Sequence, residues 1–172
     1  MKVAGVNATS LADGKGINYV LFAQGCDIHC KECQNPSTWS TDGGVEMSVE
    51  EIEGKIESYV PPVSGVTFSG GESSMQMDEV KEIAAWAKSK GLQTTIYTGH
   101  TIDELFKKRK LNVFSPFDYV IDGAFDCKQK ERLPFRGSRN QKIWKHLHDG
   151  SYKNVDFDDN GNEINEDVVK IR

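Results

Sequence analysis

The chain has 172 residues, 37% hydrophobic and 27% charged, proportions of an ordinary folded domain rather than a disordered, fibrous or membrane chain. A net charge of -5 argues against binding by broad phosphate neutralisation, so no nucleic-acid partner is expected. No run of about 20 apolar residues occurs, and Met1 to Ser10 lacks a basic region ahead of an apolar one, so no membrane contact is expected and the cytoplasm is the expected compartment.

A chain of this size buries roughly 70% of its unfolded surface in one core, and no linker or repeat divides it, so a single domain over 1–172 is expected. Ile17 to Ala23 (INYVLFA) reads as a buried strand between Gly16 and Gly25, ending at the first cysteine. Ser48 and Glu51 form a capping-box pattern, which predicts a helix over Val49 to Ser58 closed by Pro61 and Pro62. Gly65 to Ser69 is a strand. Met77 to Lys90 is a helix with Val80, Ile83, Ala84 and Ala87 on one face and Gly91 as its cap, and Leu92 to Tyr97 is the strand that follows. Thr101 and Glu104 repeat the capping pattern before a helix through Lys108, and Phe117 to Ile121 is a fourth strand.

This alternation predicts an α/β fold with a mostly parallel sheet, whose ligands collect at the carboxyl ends of the strands. A last helix is predicted around Asn140 to His148. Val155 to Asp158 and Val168 to Ile171, about the turn Asp159-Asn160-Gly161, are read as a terminal hairpin. From about residue 150 the chain is an acidic extension. Asp149, Asp156, Asp158, Asp159, Glu163, Glu166 and Asp167 are read as a solvated face.

Three of the four cysteines fall in a Cys26-x-x-x-Cys30-x-x-Cys33 loop directly after the first predicted strand. In a reducing compartment this clustering indicates metal ligation rather than disulfides. Structural zinc is normally closed by four protein ligands, and an electron-transfer cluster by four cysteines. Three thiolates would leave one iron of a 4Fe-4S cluster open. The competing reading is a zinc-binding module completed by His29 or Cys127, without catalysis; otherwise Cys127 is an unligated thiol.

Ser69-Gly70-Gly71-Glu72 ends the second predicted strand, with glycines for close backbone approach and a carboxylate for a cationic amine. Thr98-Gly99-His100 ends the third, where His100 either lines a pocket or serves structure. Asp122-Gly123 ends the fourth, where Asp122 either binds ligand or caps a turn. Arg136, Ser138, Asn140 and Gln141 are candidates for a pocket edge or a docking surface.

The cysteine spacing after a first strand resembles the radical S-adenosylmethionine superfamily. Asp13 through Trp39 (DGKGINYVLFAQGC, then CKECQNPSTW) resembles more narrowly the small activating enzymes of glycyl-radical proteins. Asp122-Gly123 with RGSxNQ at 136–141 is most similar to the branch that activates anaerobic (class III) ribonucleoside-triphosphate reductase. Lys15 and Asn18 stand where that family has Pro and Arg, Glu32 where many members have an aromatic residue, and Ser73 where Pro is usual.

The resemblance implies a partial, open β/α barrel, since this length is too short for a full barrel of about 250 residues. It implies a 4Fe-4S cluster on Cys26, Cys30 and Cys33. It places S-adenosyl-L-methionine on Ser69, Gly70, Gly71, Glu72, Thr98, Gly99 and Asp122, with the methionine amino group on the Gly-Gly-Glu loop. It implies an external electron donor such as flavodoxin or ferredoxin, and a 5′-deoxyadenosyl radical that abstracts hydrogen from a glycine of the reductase catalytic subunit. The nearest enzymatic alternative is activation of another glycyl-radical enzyme such as pyruvate formate-lyase. No side chain is required as general acid or base.

Overall fold

The computed structural model describes residues 1–109, 115–158 and 160–164. The sequence reading assigns no strand to the N-terminus, yet β1 (Lys2–Ser10) runs antiparallel to β2 (Asn18–Ala23), from Val3↔Ala23 to Ser10↔Asn18. Gly5 and Asn7 dilute its strand propensity; pairing with the strongly apolar β2 overrides that local weakness. β3 (Val45–Glu46) adds a short edge to the start of β1.

α1 (Val49–Glu57) carries the capping box in full: Glu51 N donates to Ser48 Oγ at 3.2 Å, and Ser48 N donates to Glu51 Oε2 at 2.8 Å. The helix buries Ile52 and Ile56. β4 (Gly65–Gly70) then lies parallel to β2. α2 (Met77–Ser89) ends in a Schellman turn, with Leu92 N donating to Ala87 O and Gly91 N to Lys88 O, and Gly91 at φ 77°. β5 (Gln93–Thr98) is parallel to β4. The capping pattern of Thr101 and Glu104 is likewise reciprocal at the start of α3 (Ile102–Arg109). β6 (Tyr119–Asp122) completes the parallel core.

Beyond β6 the chain stops alternating. β7 (Lys130–Leu133) and β8 (Arg136–Ser138) form a separate hairpin. The helix expected around Asn140 to His148 is instead β9 (Lys142–His146), antiparallel to β6. The reason is visible in its side chains. Trp144 packs with Val120 in the large core while Ile143 packs with Tyr119 and Ile121 in the smaller one, so neighbouring residues serve opposite faces as only a strand allows. β10 (Tyr152–Phe157) follows antiparallel, and β11 (Glu163–Ile164) pairs with its end. Asp159, Glu166, Asp167 and Val168 to Ile171 lie outside the described residues.

The nine-stranded sheet has the order β11-β10-β9-β6-β5-β4-β2-β1-β3. β2, β4, β5 and β6 are parallel and the flanks antiparallel; no pairing joins the two ends among the described residues, so the fold is α/β with an open, partial barrel. One face of the sheet meets the helices through Leu21, Val66, Phe68, Ile96 and Val120. Thr67, Ser69 and Tyr97 alternate onto the other face, where the loop after β1 crosses: Thr67 Oγ1 donates to Asp13 O.

Candidate functional site

The loops after β2, β4, β5 and β6 meet around one cavity of about 580 Å³, lined by Cys26, Cys30 and Cys33 together with Ser69, Gly70, Gly71, Glu72, Thr98, Gly99 and Gly123. Of the residues that the resemblance assigns to the cluster and to S-adenosylmethionine, all line it except Asp122; of the other candidates Arg136 and Gln141 line it, and His100, Ser138 and Asn140 do not.

The cysteine loop is held by backbone bonds at its entrance. Gly25 N donates to Thr38 O at 2.8 Å and Cys26 N to Trp39 O at 3.1 Å, while the buried Gln24 amide donates to Ser37 O and Ser40 O. His29 and Glu32, each one residue before a cysteine, adopt left-handed φ values of 53° and 58°, strained backbone of the kind that collects at functional sites. Glu32 thus stands at a turn rather than as a packing residue. His29 stacks on Trp39 with centroids 4.8 Å apart.

A backbone N–H reaches one of the sulfurs: Asn35 N donates to Cys33 Sγ at 3.3 Å. Burial pushes the Cys30 thiol above its ordinary value, the Phe125 N–H pulls it back, and the nearby Cys33 and Cys26 push it up again. Bringing three thiolates this close is therefore unfavourable until a cation holds them.

The two glycines answer to the chain itself. A Cβ on Gly70, at φ 98°, would lie 2.6 Å from Ala23 N, and one on Gly71 would overlap Gly25 O. Gly71 N donates to Ala23 O and Glu72 N to Gly25 O, so this loop lies directly against the residues that lead into Cys26. Glu72 is 1% exposed. It accepts from Thr98 Oγ1 at 2.8 Å and Ser74 N at 3.0 Å through one oxygen, and from Gly99 N at 2.8 Å through the other. Three protein donors thus fill most of a carboxylate's roughly four acceptor positions, and Glu72 joins the β4 loop to the β5 loop. Ser73, in place of a proline, donates its hydroxyl to Ser69 O.

Asp122 is buried and accepts from Ile102 N at 2.7 Å, capping α3; burial raises its carboxyl above the ordinary range. His100 turns to Asp27 with Nε2 3.2 Å from Oδ1, which ties the cysteine loop to the β5 loop outside the cavity. Asn18, where the resembled family has arginine, is fully buried and donates to Lys15 O and Gly16 O, fixing the loop that brings Asp13 to the cavity wall. Cys127 sits on a 3-10 turn and does not line the cavity.

The wall also contains Tyr97, at the end of β5, and Asp13, Trp39, Phe125 and Phe135, the last four of which sequence reasoning leaves without a site role. The signal available for Trp39 is its place six residues after Cys33, on the return of the loop.

Three cysteine sulfurs on one cavity form a donor set that suits a cluster, whose thiolates bind separate irons. The indole Nε1 of Trp39, on the same wall, is buried without a partner, a donor that a sulfur-rich or polar group in the cavity would satisfy. The volume exceeds what a cluster alone requires and falls in the range of small-molecule sites, roughly 300–1,000 Å³.

The family described as a 4Fe-4S single cluster domain matches residues 12–144. The chain belongs to the 4Fe-4S single cluster domain family. Family membership and relatives agree with the cofactors implied by the resemblance, a 4Fe-4S cluster and S-adenosyl-L-methionine, in place of the zinc alternative.

Relatives of this 4Fe-4S domain include the pyruvate formate-lyase-activating enzyme of Clostridium pasteurianum, 34% identical over 134 residues, covering 73% of this chain and 56% of that protein. The Escherichia coli K12 pyruvate formate-lyase 1-activating enzyme is 29% identical, covering 77% and 61%. The anaerobic ribonucleoside-triphosphate reductase-activating protein of Enterobacteria phage T4 is 26% identical over 147 residues, covering 82% and 91%. The chain thus spans little more than half of the two pyruvate formate-lyase relatives and nearly all of the phage protein. No described helix is long and apolar enough to cross a membrane.

Proposed function

We propose that this chain is a radical S-adenosylmethionine activating enzyme that installs a glycyl radical in the catalytic subunit of anaerobic ribonucleoside-triphosphate reductase. The observation that carries this reading is the meeting of Cys26, Cys30 and Cys33 with the Gly-Gly-Glu and Thr-Gly loops on one cavity. When bound, the cluster supplies an electron from an external donor such as flavodoxin or ferredoxin to S-adenosylmethionine, whose carbon–sulfur bond breaks to give a 5′-deoxyadenosyl radical that takes hydrogen from the partner's glycine.

The chain's own residues do the rest. Cys26, Cys30 and Cys33 would hold the cluster. Ser69, Gly70 and Gly71 present backbone at the end of β4, with Glu72 keeping that loop in register with Thr98 and Gly99. Phe22, Tyr97 and Phe135 give the cavity an apolar wall that excludes water from a reactive carbon. None of these roles calls for proton transfer. The open sheet leaves room for a protein substrate.

Two features favour the reductase over pyruvate formate-lyase. The chain matches nearly the full length of the phage reductase-activating protein, and Gly123, Arg136, Gly137 and Gln141, drawn from its Asp122-Gly123 and RGSxNQ residues, line the cavity. The higher identity of the Clostridium relative supports activation of pyruvate formate-lyase as the second reading. The cytoplasm is the compartment that suits a reduced cluster.

The test is anaerobic reconstitution with iron and sulfide, then reduction with S-adenosylmethionine in the presence of each candidate partner. 5′-Deoxyadenosine and a glycyl-radical signal in the reductase are expected. A signal only in pyruvate formate-lyase would reassign the partner, and no 5′-deoxyadenosine from a loaded cluster would overturn the activity.

A further inference from the structure

The chain is acidic overall, yet the segment that follows the β6 loop is basic. From Lys128 to Lys142 stand six basic residues and a single acidic one, Glu131, in a chain of net charge -5. The β7–β8 hairpin lies within this segment and gives Leu133, Phe135, Arg136 and Gly137 to the cavity wall. Its charges divide into two groups. Arg139 pairs with Glu131 at 2.7 Å and Arg136 with Asp156 at 2.5 Å, so these two serve the hairpin's own shape. Lys128, Lys130 and Arg132 are exposed and form no ion pair among the described residues. Lys15, which stands where the resembled family has Pro, is exposed as well and lines a second, small pocket together with Phe135, which brings another cation to the hairpin. Leu11, 76% exposed, precedes Ala12 and Asp13 of the cavity wall and offers an apolar contact at the same mouth.

Like charges gathered on one short hairpin repel one another and add nothing to its fold. We propose that the β7–β8 hairpin, with Lys15, is the surface on which the protein substrate docks, and that the face of that partner around its glycine-bearing segment is acidic. This rests on the proposed function and adds where, and by what charge, the substrate is held. The cavity decides between the possible occupants. Hydrogen can be taken only from a glycine brought to the cavity itself, so the protein that carries it must cover the mouth and the hairpin beside it. An electron can cross from the outer side of the cysteine loop, so its donor has no need of this surface. Complementary charge at the edge of an interface speeds and orients the encounter more than it tightens the complex. Here it turns the cavity of an otherwise acidic chain toward an acidic partner.

The experiment uses the full chain, reconstituted with iron and sulfide, and measures its affinity for whichever candidate partner it activates. Lys130→Glu combined with Arg132→Glu reverses two charges that do not line the cavity, and Lys55→Glu, exposed on α1, is the control. Two reversals against an acidic face should weaken binding about tenfold at about 0.1 M salt, and the loss should shrink toward about 1 M, where the screening length falls from about 10 Å to about 3 Å. The control should bind as the wild type does. Formation of 5′-deoxyadenosine without partner should be unchanged; a loss there would assign the two residues to cofactor binding and overturn the inference. Equal affinity at low salt would overturn it too, as would intact partner binding with slower reduction of the cluster by flavodoxin, which would give the surface to the electron donor. Should the reversed variant fail to load its cluster, Lys130→Gln combined with Arg132→Gln decides, with a loss of about threefold expected. A wild-type chain that forms no glycyl radical in either candidate partner sinks the proposed function and this inference with it, whereas radical formation with binding indifferent to these charges sinks this inference alone.

Discussion

Gly71 and Glu72 separate what a ligand asks of this loop from what the chain asks. The sequence reading places both on the methionine end of S-adenosylmethionine; the structure adds a prior demand, because a Cβ at Gly71 would collide with the Gly25 carbonyl. Gly71→Ala is expected to destabilise the protein by about 1–3 kcal/mol, the usual range for overpacking, and to lower iron retention, since the displaced carbonyl belongs to the residue before Cys26. Denaturant unfolding and iron assay check both, and unchanged stability would show that the loop relaxes freely. Glu72→Gln sets an NH2 group among the donors of Thr98, Ser74 and Gly99. It should cost about 1–3 kcal/mol, as buried groups left without a proper partner do, together with weaker S-adenosylmethionine binding. Weaker binding at unaltered stability would instead mark the carboxylate as a ligand group alone. The three cysteines were legible because their spacing is local. The work of Glu72 was not, because its partners lie about a β-α unit away in sequence.

At the scale of elements, the parallel core could be read because each unit carries its own signals: the capping boxes at Ser48 and Thr101 and the glycine cap of α2 are formed as their residues predict. β1 and β9 could not, since their strand character comes from partners, β2 for one and β6 with β10 for the other. Asp122 shows the same dependence. Its residue type allows a ligand group or a cap, and only the return of α3 over the end of β6 makes it a cap. Because burial raises its carboxyl above the usual value, the folded chain holds a proton that the unfolded chain releases between the two values. Stability from this group therefore grows as pH falls through that window and is lowest above it. Asp122→Asn, which keeps an oxygen for Ile102 N, should raise unfolding free energy at pH 7.5 and lose that advantage near pH 4. A variant less stable at pH 7.5 would show that the attraction between the carboxylate and the helix start exceeds the burial penalty.

For the whole molecule, the question is whether the cluster builds the fold or is received by it. Small zinc domains fold only with their metal because they lack a core of their own. Here the large core joins three helices to the sheet through residues such as Ile52, Ile83, Phe68 and Ile96, and contains none of the cysteines. The cysteine loop is tied down by backbone bonds of Gly25 and Cys26 and by the His100–Asp27 contact, all of which exist without metal. The chain stripped of iron by a chelator under reducing conditions should therefore keep its far-ultraviolet circular dichroism and a cooperative melting transition, at a lower midpoint than the loaded form. The difference follows from ligand linkage, since whatever binds only the folded state adds to its stability. Fast hydrogen exchange in the stripped form should be confined to residues 26–35 and the loop at 123–126, with β4, β5 and β6 still protected. Loss of protection across those strands would mean that the three thiolates are a folding centre, and that the open barrel forms around its cluster.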